Sequence, residues 1–129
     1  MCYCLWEAGG ESIDKIEKLA IDRAKALFKI DHANVQCPTA TQANISVYSA
    51  LLEPGDTVLS AKLTHGGHFT HGSQRHISGR IYRFFHYGLS RQMEQIDFED
   101  VERIALDKRP KLIIAGMSGY PGMISFSAG

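Results

Sequence analysis

The sequence predicts an α/β fold, with a parallel sheet covered by helices in a three-layer α/β/α arrangement. Three observations lead there. Short apolar runs at Thr57–Ser60, Ile81–Phe85 and Lys111–Ala115 read as buried strands. Stretches with a 3.6-residue apolar period alternate with them. Turn residues punctuate the boundaries, as at Glu53-Pro54-Gly55-Asp56.

The first predicted helix runs from Ser12 to Phe28. Ile13, Ile16, Leu19, Ala20, Ala24, Leu27 and Phe28 form its apolar stripe, and the Ser12 hydroxyl is placed to cap its first turn. Ala33–Gln36 reads as a short strand. Pro38 then disfavours helix at Cys37. A second helix is expected from about Thr41 to Leu52, with Ile45, Tyr48, Leu51 and Leu52 inward. Asp97 is placed to cap a short helix bearing Val101, Ile104 and Ala105. Ligands of such sheets bind at the carboxyl ends of strands. The loops 36–41, 63–72 and 116–122 are therefore the candidate sites.

Length and composition bound the function. A chain of 129 residues fits one domain, residues 1–129. At 44% apolar and 22% charged it is neither disordered nor low in complexity. Lys and Arg number 14, as do Asp and Glu, so the formal charge is zero. A neutral chain carries no electrostatic footprint for a phosphate backbone, which argues against a nucleic-acid partner. No basic amphipathic stripe and no long apolar run point to a membrane. No basic stretch followed by an apolar core opens the chain, and three cysteines make an odd count. Both features point to a reducing compartment such as the cytoplasm.

Two segments carry chemistry. Thr39-Ala40-Thr41 lies where a loop enters a helix. The first N–H groups of a helix lack internal partners and the dipole is positive there, so two hydroxyls beside them suit a phosphate group. The alternative is that the threonines simply cap the helix. The second segment, Leu63 to Gly72, holds His65, His68 and His71 at three-residue spacing. That spacing allows a metal reading, but Gly66-Gly67 weakens the helix that would align the rings, and no glutamate stands beside them, so no metal site is assigned. A flat imidazole stacking on a planar ligand is a second reading. Histidines hydrogen-bonding within their own loop are the third.

The residues Leu19–Lys25, His32–Gln36, Gln42-Ala-Asn44, Ala50–Leu59, His65-Gly-Gly-His-Phe-Thr-His-Gly72, Pro110–Gly116 and Ser118-Gly-Tyr120, in this order, closely resemble serine hydroxymethyltransferase. The likeness runs from about Gly9 to Ile124. It implies the large domain of a fold-type I, aspartate aminotransferase-like enzyme dependent on pyridoxal 5'-phosphate. It further implies interconversion of serine and glycine, one-carbon transfer to tetrahydrofolate, and assembly as a homo-oligomeric dimer or tetramer. The family's phosphate-binding stretch falls on Thr39-Ala40-Thr41-Gln42-Ala43-Asn44, with Thr39, Ala40 and Thr41 as the cofactor-binding candidates, its ring-stacking histidine on His68, and a serine near the cofactor ring on Ser118. Its folate contacts fall on Leu63, Gly67, His68 and Phe69. His68 and Ser118 are thus the candidate catalytic residues.

The sequence departs from the family at several places. Ala40 stands where the family has glycine, which adds a β-carbon close to the phosphate. The tyrosine of the N-terminal arm falls near Glu7, and Ser90–Gln95 is about one residue longer than usual. The family's Schiff-base lysine belongs to a threonine-rich motif downstream of Tyr120, and no such motif occurs in these residues. Lys15, Lys18, Lys25, Lys108 and Lys111 all read as surface groups. The expectation is a part of the large domain that is inactive alone. The alternative is a non-catalytic segment that binds cofactor phosphate or associates with other subunits.

Overall fold

A computed structural model describes residues 10–90 and 92–124. The chain divides into two compact units, residues 1–43 and 44–129.

In the first unit, helix α1 spans Glu11–Phe28. It starts one residue before Ser12, with Gly10 at the cap and no side-chain cap bond. The carboxylates of Glu11 and Asp14 in the first turn face the positive end of the helix dipole instead. Lys29 closes the helix in a left-handed conformation (φ 53°). The apolar stripe forms as expected but faces outward: Ile13, Ile16, Leu27 and Phe28 are all exposed. Ala33–Gln36 is not a strand. The Asn34 side chain accepts the Gln36 N–H at 2.9 Å, and the Gln36 amide donates to Glu17 at 2.8 Å. An asparagine that bonds its own backbone two residues on bends the chain away from a ladder.

Helix α2, Ala40–Leu51, has its first turn in this unit and the remainder in the second. The second unit then adds β1 (Thr57–Ala61), a 3-10 turn (Leu63–His65), α3 (Ile77–Ile81), β2 (Arg83–Tyr87), α4 (Phe98–Lys108) and β3 (Leu112–Ile113). The three strands are parallel in the order β2-β1-β3. Val58 pairs with Phe84 on one side and Leu112 on the other.

Successive side chains of β1 point to opposite faces, and this alternation builds the layers. Val58 packs with Tyr48 and Leu52 from the α2 region, joined by Tyr82, Phe84, Leu112 and Ile114. Leu59 and Ala61 pack on the other face with Tyr87 and with Val101, Ile104 and Ala105 of α4. The α/β fold is therefore present, with a helix on each face of the sheet. Asp97 caps α4 as expected, its carboxylate accepting the Asp100 N–H at 3.0 Å.

Two strands differ from expectation. β2 begins at Arg83, because Ile77–Ile81 is helical and the Tyr82 N–H returns to the Ser78 carbonyl. Only Leu112–Ile113 of the run 111–115 counts as strand, paired with Val58 and Leu59 of β1. Among the described residues, no helix is long and apolar enough to cross a membrane.

Candidate functional site

The loop after β1 is shaped by its glycines. The 3-10 turn ends at Gly66, whose backbone is left-handed (φ 95°) and whose N–H donates to the Leu63 carbonyl. Gly67 is buried, and a β-carbon there would lie 2.5 Å from the Ala61 carbonyl oxygen and 2.7 Å from that of Lys62. The loop can therefore fold back on the end of β1 only without a side chain at this position.

Within that loop the three histidines do not converge. His65 Nδ1 accepts the Leu89 N–H at 3.0 Å. His71 Nδ1 accepts the His68 N–H at 3.3 Å, and the rings of His68 and His71 meet edge-on at 5.6 Å. Among the described residues, no group of three or more His, Cys, Asp or Glu could hold a metal ion. His68 is half-buried, with Nδ1 held by Thr70: 2.6 Å from Oγ1 and 3.2 Å from the backbone N–H. Leu63 and Phe69 expose about half of their surface, 53% and 42%.

Burial lowers the proton affinity of two neighbouring imidazoles. His71 is pushed below the ordinary histidine value by desolvation, then by the charges of His68 and His86. His86, on β2, is pushed the same way by desolvation and by Lys62. Its Nδ1 lies 3.1 Å from the Ser60 hydroxyl, which donates to the His71 carbonyl at 3.1 Å.

Ser118 is exposed in the loop after β3. Its N–H donates to the Gly66 carbonyl at 2.8 Å, and the Gly119 N–H donates to the same oxygen at 3.0 Å. The loops bearing His68 and Ser118 are thus joined at the carboxyl ends of adjacent strands. A nearby open recess of about 560 Å³ is lined by Lys62, His65, Ser90, Asp97, Asp100 and Tyr120, and by none of the candidate residues.

Thr39, Ala40 and Thr41 form the entry to α2. Thr39 Oγ1 accepts the Gln42 N–H at 3.2 Å, so this threonine does cap the helix. Its hydroxyl proton can still be donated outward. Ala40 opens the helix; among the described residues, the left-handed non-glycines are Lys29, Glu94 and Arg109. The β-carbon at position 40 therefore adds no backbone strain.

One bond in the second unit joins two stretches, 42–44 and 65–72, that the sequence marks separately. Asn44 Nδ2 donates to Thr70 Oγ1 at 2.8 Å, and Thr70 is 1% exposed. The partners are 26 residues apart, so no local pattern announces the bond.

A family model described as serine hydroxymethyltransferase matches residues 5–128. Curated proteins of that name are similar over nearly the whole chain. The one from Nostoc sp. (strain PCC 7120 / SAG 25.82 / UTEX 2576) is 52% identical over 92% of this chain and 28% of its own length. That from Synechococcus sp. (strain JA-3-3Ab) is 55% identical over 93% and 28%. That from Dehalococcoides mccartyi (strain ATCC BAA-2266 / KCTC 15142 / 195) is 49% identical over 92% and 29%. The chain spans less than a third of the length of these relatives.

Proposed function

Because the chain belongs to the serine hydroxymethyltransferase family, we propose that residues 1–129 are part of its cofactor-binding large domain. In this reading they contribute the non-covalent grip on pyridoxal 5'-phosphate. The reaction served is the interconversion of serine and glycine with one-carbon transfer to tetrahydrofolate. The observation that supports this most is the double hydrogen bond from Ser118 and Gly119 to Gly66, which ties the Ser118 loop to the His68 loop.

The residues fit the group. Thr39 can accept from its own helix and donate to a phosphate oxygen at the same time. Thr41 adds a second hydroxyl, and Ala40 imposes no strain beside them. His68 offers a ring whose plane Thr70 restrains. Ser118 supplies a hydroxyl for the polar edge of the cofactor ring. Leu63 and Phe69 give, with His68, a surface for the flat ring of the folate, and Gly67 shapes the loop that carries them.

When bound, the cofactor supplies the electron sink for carbanion chemistry at the amino-acid α-carbon. The side chains here orient it, and orientation matters because the breaking bond must align with the ring's π-system. Lys15, Lys18, Lys108 and Lys111 are poor covalent anchors. Lys15 and Lys18 are exposed on α1, Lys108 pairs with Asp107 and Lys111 with Asp56, each at 2.7 Å. The stretch alone is therefore read as binding without turnover. Work in the cytoplasm and assembly into a dimer or tetramer belong to the same reading.

Calorimetric titration of the chain with pyridoxal phosphate tests this. Saturable binding that weakens in the double variant Thr39→Ala, Thr41→Val is expected, with no serine cleavage. Binding equal to that of phosphate-free pyridoxal, or unchanged by the double variant, overturns the reading.

A further inference from the structure

Thr70 sets the proton position on His68. Its backbone N–H can only donate, and it points at His68 Nδ1 from 3.2 Å. Nδ1 therefore carries no proton and acts as an acceptor. The Thr70 hydroxyl reaches the same nitrogen at 2.6 Å and gives it its single proton. That oxygen in turn accepts from the Asn44 amide at 2.8 Å. The donors run in one direction: Asn44 to Thr70 to His68.

The Thr70 backbone N–H, which can only donate, sets the direction of this chain of bonds. Thr70 is 1% exposed, so its hydroxyl has no water to turn to. Its carbonyl already accepts from the Tyr48 hydroxyl at 3.3 Å and the Ser78 hydroxyl at 2.8 Å, which pins the backbone. Helix α2 and α3 thus hold Thr70 from two directions. The ring of His71 meets that of His68 edge-on at 5.6 Å, and its Nδ1 accepts the His68 backbone N–H rather than a ring N–H of His68.

We propose that Asn44 and Thr70 are positioning residues that lock the neutral His68 imidazole in its Nε2–H form. The locked ring has a fixed plane and presents one outward N–H donor, suited to an acceptor oxygen of a bound ligand. The ligand half of this rests on the cofactor reading above; the tautomer half does not.

Proton-nitrogen correlation spectra of the ¹⁵N-histidine-labelled chain at about pH 8, above the ordinary histidine range of about 6.5, read the tautomer directly. His32, which is exposed, serves as the internal reference. Wild-type His68 is expected as a single Nε2–H species while His32 shows a mixture. Thr70→Val should shift the His68 ratio toward Nδ1–H about fivefold, the effect of one lost hydrogen bond, and Thr70→Ser should restore it. Asn44→Asp should shift it further, because a carboxylate only accepts and draws the Thr70 proton away. A wild-type His68 with the same mixture as His32, or a ratio unmoved in folded Thr70→Val, overturns the proposal. The wild-type spectrum alone decides if the variants do not fold. Failure of pyridoxal phosphate to bind, with His68 still locked, would sink the cofactor reading and leave the relay standing.

Discussion

The N–H of Ser118 donates to the carbonyl of Gly66 at 2.8 Å, and that oxygen also accepts from Gly119. Gly66 makes this possible with a left-handed backbone, and a β-carbon there would stand 2.8 Å from the Tyr120 nitrogen. Gly66→Ala therefore meets both backbone strain and a backbone clash. A loss of about 1–3 kcal/mol is expected in urea unfolding. Hydrogen exchange should quicken at Ser118 and Gly119 more than at Leu59. Unchanged protection at those two amides would show that the loops are joined by other means.

Acid should weaken the second unit through its buried imidazoles. His71 and His86 both lie below their ordinary value of 6.5, chiefly by desolvation. Folded, each gives up its proton more readily than unfolded. Below about pH 6.5 the unfolded chain binds more protons, so stability falls as pH drops through that value and on toward the folded ones. Asp56 is also depressed, by its Lys111 partner, but its window opens only below 3.8. Melting temperatures between pH 8 and 5 test this. His86→Gln should flatten the slope, and an unchanged slope in both His86→Gln and His71→Gln refutes it.

The sheet was legible where burial and pattern agree. Val58 and Leu59 are fully buried, and their apolar run announces β1. Ile81 misled because an apolar residue before a strand looks like its first member, whereas it closes the five-residue α3. Gly79 in that helix lets the chain pass beside the carbonyls of Gly72 and Ser73, where a β-carbon has no room. Asn34 turned an expected strand into a bend through a bond to its own backbone. The candidate site divides in the same way. His68, Gly67, Ser118, Asn44 and Thr70 all lie in recognisable stretches, but the bond between Asn44 and Thr70 spans 26 residues and becomes visible only when α2 lies against the β1 loop.

Apolar side chains of equal size should differ sharply in worth. Leu59 is 0% exposed between the sheet and α4, while Leu27 on α1 is 76% exposed. Leu59→Ala leaves a cavity and should cost about 2–5 kcal/mol. Leu27→Ala removes surface contacts only and should stay within about 0.5 kcal/mol. Denaturant midpoints of the two variants give the comparison. A large loss at Leu27 would mean that the α1 stripe is covered in solution.

Thr39 has two separable duties, and two substitutions divide them. Its hydroxyl caps α2 by accepting the Gln42 N–H. In the proposed site it also donates to a phosphate. Thr39→Ala removes both, so stability should fall by about 1 kcal/mol and cofactor affinity with it. Thr39→Asp keeps a good cap but sets a negative charge against the phosphate. Thermal melts of Thr39→Asp should therefore match the wild type to within about 0.5 kcal/mol, and added pyridoxal phosphate should no longer raise its midpoint. If the aspartate variant still binds the cofactor as the wild type does, Thr39 is a helix cap and nothing more.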